Sequence, residues 1–311
     1  MKRREFCVGL LFTGPATRLA RAAGEPGVVD QVWTDARRNR EVPVRIHVPA
    51  NPRRAPVVLF SHGLGGSRSG GTRWGRHWAA NGFISVHMQH HGSDELLWKD
   101  RGVLAGLNNL RRAMTVENGV LRVQDAGFVL DEIVRRGRAG DPQWAAADLD
   151  RIGMSGHSFG ARTTIALASQ MADRRIRAAI AFSPVGEATA AQNRERAGRI
   201  AIPFLSLTGT EDRVPLLNDA GPAERQVPYQ FMPAPDKYLL VLNGADHMVF
   251  NGEPEGRRWS DANHAIHAPL IERATLAFWK AYLGEDAAAR AELAGGGMLH
   301  MVAENGEWFA K

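Results

Sequence analysis

Short apolar runs and polar breaks alternate along most of the chain. Runs rich in β-branched and aromatic residues and bounded by turn residues predict about eight strands, over Val28–Thr34, Val42–Val48, Pro56–Phe60, Phe83–His87, Arg151–Met154, Ala178–Phe182, Ile202–Leu207 and Tyr238–Leu242. Apolar residues at helical spacing predict helices, over Trp74–Asn81, Val116–Arg136, Ala161–Met171 and Ala265–Leu283.

The first two predicted strands flank a polar turn at Arg37–Arg40 and form a hairpin, whereas the later strands alternate with helices. Alternation of this kind is typical of an α/β fold, so we expect a mostly parallel sheet with helices on both faces. The proline-rich stretch from Pro215 to Pro235 is interpreted as an excursion over the sheet edge and not as a domain linker. Residues 24–311 are therefore predicted to form a single domain.

The composition is that of an ordinary globular protein. Of 311 residues, 44% are hydrophobic and 23% are charged, which excludes disorder as the main state. No apolar run reaches the roughly 18–20 residues that a membrane span needs. The formal net charge is +6, but the first 22 residues hold five cations and one anion, which leaves +2 for the rest. Without a basic stripe or a known module, nucleic-acid binding is not expected.

The first 23 residues have the order of a secretory signal. A charged start at Lys2–Phe6 is followed by an apolar stretch at Val8–Phe12 and by small residues within Ala20–Ala23. The arginine pair with a phenylalanine two places later resembles a twin-arginine export signal, and a frayed basic N-terminus is the alternative. We expect a periplasmic or secreted protein. Cys7, the single cysteine, lies in this segment, so a processed chain would have no cysteine nucleophile and no disulfide.

The sequence GHSFG at 156–160 follows a predicted strand and precedes a predicted helix. G-x-S-x-G in this context marks a nucleophile elbow, in which a sharp turn between small residues holds the serine above the sheet edge. A serine hydroxyl is a weak nucleophile at neutral pH, so it needs a base and a third group that orients the base. Ser158 is the predicted nucleophile.

In this architecture the acid and then the histidine follow the serine, in loops after later strands. Asp212 follows the seventh predicted strand and His247 follows the eighth. Glu211 is an alternative acid, but the Val-Pro pair two residues after Asp212 favours an inward-pointing aspartate there. Asp246 adjoins His247 and more simply caps the local turn. We therefore predict a triad of Ser158, His247 and Asp212.

The tetrahedral intermediate of acyl transfer carries an oxyanion that backbone N–H groups stabilise. One expected donor is Phe159, the residue after the nucleophile, and the other is Leu64 in the loop after the third strand. That loop has the sequence SHGLGGS at 61–67, whose glycines let the backbone approach a ligand. A phosphate-binding loop is not supported, because no Gly-Lys-Ser/Thr follows and Arg68 occupies the sixth position of G-x-G-x-x-G.

In combination these motifs resemble the α/β-hydrolases over about residues 28–283. SHGLGGS at 61–67, HGSD at 91–94, RVQD at 122–125 and GHSFGA at 156–161 are similar to the dienelactone-hydrolase-like branch. That branch includes bacterial relatives of platelet-activating-factor acetylhydrolase. The resemblance implies ester hydrolysis through Ser158, Asp212 and His247. True dienelactone hydrolases use a cysteine nucleophile, where this chain has Ser158.

Five histidines outside the predicted triad raise the question of a metal site. They lie after a strand or near the closing helix, at His87, His90, His91, His264 and His267. No carboxylate-and-histidine spacing typical of a metal site emerges from them. We therefore expect loop and pocket-wall histidines, with no metal and no cofactor.

Two further groups of residues have structural as well as functional interpretations. Arg122 and Asp125 lie three apart on a predicted helix, which predicts a structural ion pair. Trp98, Met248 and Phe250 are candidates for a substrate pocket, with ordinary packing as the alternative.

These observations predict a serine esterase that acts on a small-molecule or lipid ester, with short acyl groups favoured. A lipase, a phospholipid acetylhydrolase, a polyester hydrolase or an amidase would use the same triad. A non-catalytic binding protein with the same fold is the alternative outside the enzymes, although it would not need all three groups.

Overall fold

The computed structural model describes residues 25–215, 217, 220–252 and 262–311. Within them, one sheet contains nine strands in the order β1-β2-β4-β3-β5-β6-β7-β8-β9. The strands are β1 (Gly27–Asp35), β2 (Arg40–Val48), β3 (Ala55–Ser61), β4 (Ile84–Met88), β5 (Ala147–His157), β6 (Ile176–Phe182), β7 (Phe204–Glu211), β8 (Lys237–Asp246) and β9 (Gly306–Ala310). The predicted export signal lies outside the described residues.

The sheet is mixed but mostly parallel. Strands β4, β3, β5, β6, β7 and β8 are parallel to their neighbours in that series. The β1–β2 hairpin, the β2–β4 pair and the β8–β9 pair are antiparallel. The α/β fold class is thus confirmed, and the architecture is consistent with an α/β-hydrolase fold. The strand beyond the predicted eight is β9, which extends the sheet beside β8.

Helices cover the sheet, and they include the four predicted from periodicity. They are α1 (Thr72–Ala80), α2 (Val103–Ala113), α3 (Val116–Arg138), α4 (Phe159–Ala168), α5 (Ala190–Arg196), α6 (Pro222–Phe231), α7 (Ala262–Tyr282), α8 (Ala287–Ala294) and α9 (Gly296–Val302). Helix α3 begins where the Thr115 side chain accepts from the N–H of Asn118, and its last turn is basic. No helix in the described ranges is long and apolar enough to cross a membrane.

The core lies on both faces of the sheet. Every residue of β3 is buried, which explains the continuous apolar run that predicted it. Val58 and Phe60 pack with the tryptophans of α1 and the aromatic residues of α7. Val57 and Leu59 point to the opposite face and pack with the apolar side of α3.

The proline-rich stretch between β7 and β8 contains a helix that the sequence pattern did not predict. Pro222 opens α6 at its first turn, where the missing N–H has no cost, and Pro228 lies inside the helix. Helix α6 packs against β7. It thereby brings Arg225 into the interior below the end of that strand.

Two buried histidines make the folded protein sensitive to acid. Burial lowers the pKa of His87 and of His90 to about 4. The unfolded chain has histidine pKa values of about 6.5, so it binds more protons than the folded chain between about pH 6.5 and 4. The contribution of these two neutral histidines to the free energy of unfolding is therefore fully present above about pH 6.5, and it decreases as the pH falls towards 4.

We expect the free energy of unfolding in urea to fall by several kcal/mol between about pH 7 and 4.5. His87→Gln should reduce this fall, because the variant has no imidazole to protonate there. His300→Gln, at an exposed position on α9, is the matched control and should leave the fall unchanged. An equally steep fall in His87→Gln would contradict the assignment.

Candidate active site

Ser158 is the single residue between β5 and α4, so the chain turns more sharply there than the sequence pattern predicted. Strand β5 continues to His157 and α4 begins at Phe159, so the turn consists of Ser158 itself. Its φ of 55° and ψ of −112° are strained for a residue with a side chain. A Cβ on Gly160 would come well under 3.0 Å from the carbonyl oxygen of Ser61, which explains why a glycine must follow the turn.

Asp212 and His247 meet at the carboxyl ends of β7 and β8. His247 Nδ1 lies 2.7 Å from Asp212 Oδ1. The Asp212 carboxylate is fully buried, and Thr208 Oγ1 donates to its Oδ2 at 2.9 Å. Glu211 is exposed. Asp246 Oδ1 accepts from two backbone N–H groups just after it in the chain, so it caps the turn as predicted.

Two buried residues complete the surroundings of this pair and were not predicted. Ser183 Oγ donates to Asp212 Oδ1 at 2.9 Å and lies 2.8 Å from His247 Nδ1. Arg225 Nε lies 2.9 Å from Asp212 Oδ1 and supplies the countercharge of the carboxylate. Ser183 directly follows β6, so its place after a parallel strand was a signal that could have found it. Arg225 lies on α6 and has no such signal, because it reaches the site through packing of that helix.

His247 and Ser158 line the same cavity. Among the described contacts no hydrogen bond joins the Ser158 hydroxyl to His247, and such bonds are often long in unliganded enzymes. The carbonyl oxygen of His247 accepts from His157 Nε2 at 3.0 Å, and the two rings lie 4.6 Å apart between centroids. Burial holds the pKa of His157 well below its usual value, so this ring is a neutral support for the His247 backbone.

Leu64 and Phe159 also line the cavity. Within the described part of the chain neither backbone N–H donates a hydrogen bond, although the N–H groups of Gly65 and Gly66 are both used. Two free N–H groups beside Ser158 are what an oxyanion would need.

The cavity has a volume of about 500 Å³ and mostly apolar walls, formed by Leu64, Trp98, Met114, Val185, Val214, Leu217 and Met248. Trp98 and Met248, two of the three candidates for a substrate pocket, therefore lie in the wall of this cavity. Phe250, the third candidate for the substrate pocket, does not line this cavity. Its side chain is fully buried in the core beside α1, and its carbonyl oxygen accepts from Trp74 Nε1. Among the described residues of the wall, Glu95 and Arg162 are acidic and basic, respectively.

Each of the five histidines considered for a metal site forms a hydrogen bond with another residue of the protein. The pairs are His87 with Gly70, His90 with Asp125, His91 with Asp94, His264 with Asp246 and His267 with Asn243. Within the described ranges no group of three or more histidine, cysteine or acidic residues is arranged to hold a metal ion.

The predicted ion pair on α3 is wrong, because its two members face different neighbours. Asp125 accepts from Arg38 at 2.8 Å, from Arg40 at 2.7 Å and from His90 at 3.0 Å. The Arg122 guanidinium instead donates to three hydroxyl oxygens and one carbonyl oxygen. Both side chains are fully buried.

A comparison with protein families gives a match over the N-terminal part of the chain. The family model of platelet-activating factor acetylhydrolase, isoform II, matches residues 19–96. The chain resembles that family over this segment. The match covers the β1–β2 hairpin, β3, the loop that holds Leu64, and β4, and it ends before Ser158. It supports an α/β-hydrolase that cleaves esters, and it does not extend to the residues of the triad.

Proposed function

We propose that this protein is an exported serine hydrolase that cleaves carboxylic esters through an acyl-enzyme. Ser158 is the nucleophile, His247 is the general base and acid, and Asp212 orients His247. The N–H groups of Leu64 and Phe159 form the oxyanion hole.

The reaction has two stages with the same residues. Ser158 Oγ attacks the ester carbonyl carbon as its proton passes to His247 Nε2, and the oxyanion is held by the two N–H groups. The C–O bond to the alcohol then breaks, and His247 gives its proton to the leaving oxygen. Water attacks the acyl-enzyme through the same base, which releases the acid and restores Ser158. Asp212 holds the Nδ1 proton and stabilises the imidazolium throughout.

The observation that carries this proposal is the 2.7 Å hydrogen bond from His247 to the buried Asp212, at the cavity that Ser158 also lines. Burying a carboxylate and its Arg225 countercharge is costly. A protein that only bound a ligand in this cavity would have no use for an oriented imidazole, so the arrangement favours catalysis.

The walls favour a small acyl group as the substrate moiety. They are mostly apolar and enclose about 500 Å³, which suits a short acyl chain together with part of the alcohol. Residues 94–115 and 213–237 both contribute to these walls. The family match favours a second candidate function with the same triad, which is the hydrolysis of an acetyl ester on a phospholipid.

The test is a series of p-nitrophenyl esters from acetyl to dodecanoyl. We expect kcat/KM to be greatest at acetyl or butyryl and at least about tenfold lower at dodecanoyl, a difference of about 1.4 kcal/mol in transition-state binding. A fluorophosphonate should add one adduct per chain, located at Ser158 by peptide mass mapping. A maximum at long chains would favour a lipase. A folded protein that neither hydrolyses the esters nor reacts at Ser158 would contradict the proposal and favour a binding protein.

A further inference from the structure

A buried arginine lies between the two segments that carry the proposed oxyanion donors. Arg122, on α3, has no exposed surface. Its Nη1 donates to Ser93 Oγ at 2.8 Å, and its Nη2 donates to Ser61 Oγ at 3.1 Å and to the carbonyl oxygen of His62. Ser61 and His62 lead directly into Leu64, so these bonds fix the loop from below.

The same guanidinium also contacts α4. Arg122 Nε donates to Thr163 Oγ1 at 3.3 Å, and the guanidinium carbon lies 4.7 Å from the centroid of the Phe159 ring. A planar guanidinium is rigid and presents its donors at fixed angles. One group therefore sets the distance between the loop that carries Leu64 and the helix end that carries Phe159.

Beyond Arg122, the hydrogen bonds continue through the buried residues Ser61 and His90 to Asp125. Ser61 Oγ lies 2.9 Å from His90 Nε2, and His90 Nδ1 lies 3.0 Å from Asp125 Oδ2. The carboxylate can only accept, so Nδ1 carries the proton, and a neutral His90 then accepts from the Ser61 hydroxyl at Nε2. The Ser61 oxygen is left with its lone pairs towards Arg122.

The hydrogen-bonded series Ser61–His90–Asp125 has the residue types of a catalytic triad but no access to substrate. Ser61, His90 and Asp125 are fully buried, and none of them lines the cavity of Ser158. The Asp125 charge is matched by Arg38 and Arg40. The arrangement therefore orients Ser61 as an acceptor and does no chemistry of its own.

Arg122 itself has no carboxylate within ion-pair distance among the described residues, although the more distant charges of Asp125 and Asp94 favour its protonated form. Burying a cation without a direct ion pair is costly, and an apolar side chain would fill the same space at lower cost. A role in placing its neighbours accounts for a guanidinium at this position.

We propose that Arg122 is a positioning residue that holds the N–H groups of Leu64 and Phe159 at the separation an oxyanion requires. This inference rests on the proposed function. It also gives a role to RVQD at 122–125 and HGSD at 91–94, two motifs that the proposed triad does not use.

Arg122→Lys tests the proposal, because lysine keeps the charge but cannot hold four acceptors in one plane. We expect kcat to fall about 10²-fold, close to the loss of one oxyanion donor, with KM changed less than about threefold. The inhibition constant of a trifluoromethyl ketone, which forms a tetrahedral oxyanion on Ser158, should rise in proportion to the loss of kcat/KM. Ser93→Ala, which removes one acceptor, should give a smaller loss in the same direction and remains available if Arg122→Lys does not fold.

Val129→Ala is the matched control, since Val129 is buried in the core on the same helix, about two turns beyond Arg122, and has an apolar side chain that donates no hydrogen bond. It should lower the Tm and leave kcat of the folded protein unchanged. An equal loss of kcat in Val129→Ala, or wild-type kcat in Arg122→Lys, would overturn the proposal.

Hydrogen–deuterium exchange separates this proposal from the proposed function. Arg122→Lys should speed exchange in residues 61–66 several-fold, whereas Val129→Ala should leave it as in the wild type. Unchanged exchange in Arg122→Lys overturns the proposed positioning, whatever the protein hydrolyses. Wild-type protein that turns over no ester overturns the proposed function and the catalytic part of this inference, and the exchange result then decides whether Arg122 orders the loop.

Discussion

Ser158→Ala is expected to lower kcat for ester hydrolysis about 10⁶-fold, as loss of the serine nucleophile does in subtilisin. Alanine has no oxygen to attack the carbonyl carbon, so no acyl-enzyme forms. The residual rate comes from the oxyanion hole and from substrate binding alone. Alanine and serine carry the same Cβ, so the φ of 55° is no more strained in the variant, and the Tm should stay close to that of the wild type. Steady-state rates with p-nitrophenyl butyrate and thermal unfolding measure the two effects.

Ser69→Ala is the matched control for this loss. Ser69 lines the same cavity, and its hydroxyl bonds to Ser67 Oγ at 2.8 Å. We expect its kcat to remain within about threefold of the wild type, because no reacting atom depends on that hydroxyl. Near-normal turnover in Ser158→Ala would exclude Ser158 as the nucleophile.

The central strands were predictable because burial on both faces leaves a strong signal in the sequence. Strand β3 is buried at every position and reads as one apolar run. Strand β9 has five residues, mostly exposed, and pairs with a neighbour on one side, so its sequence does not differ from that of a loop. Helix α6 begins at a proline and contains another, which hides a helical period. In both cases tertiary packing determines the element, and local pattern does not.

The positions of the candidate triad follow from chain order and strand ends, which a sequence displays directly. The parallel strands β5, β7 and β8 all end at one edge, so residues just after them converge. The same rule could have placed Ser183 at the site, because it directly follows the parallel strand β6. Arg225 and Arg122 lie on helices instead, and their partners are set by side-chain direction in the folded core. Phe250 illustrates the same limit, because an aromatic residue three positions after His247 suits a pocket wall and a core equally well in the sequence.

Asp212→Asn is expected to lower kcat about 10⁴-fold. The asparagine amide cannot stabilise the imidazolium that forms when His247 takes the proton of Ser158. An amide N–H₂ group facing Nδ1 would also favour the tautomer with its proton on Nε2, which cannot act as the base. The loss should fall on kcat at saturating substrate, and pre-steady-state acylation with p-nitrophenyl acetate measures it directly.

The same substitution removes the countercharge of Arg225, which is 1% exposed. Leaving a buried charge without its partner costs about 3–5 kcal/mol, so Asp212→Asn should also unfold at a lower urea concentration. The double variant Asp212→Asn/Arg225→Met removes both charges and should regain part of this stability. Its kcat should stay about 10⁴-fold down, because the imidazole still lacks its carboxylate. Recovery of activity together with stability would show that the single variant had failed by unfolding.

The variants Glu211→Gln and Asp246→Asn test which carboxylate orients His247. Glu211 is exposed at the end of β7, and Asp246 uses Oδ1 to cap the turn that carries His247. Neither carboxylate carries a hydrogen bond to His247 Nδ1 among the described contacts, whereas Asp212 does at 2.7 Å. We expect both variants to keep kcat within about tenfold of the wild type, with Asp246→Asn losing about 1 kcal/mol of stability from a weakened cap. A mild effect in Asp212→Asn beside a loss of about 10⁴-fold in Glu211→Gln would transfer the acid role to Glu211.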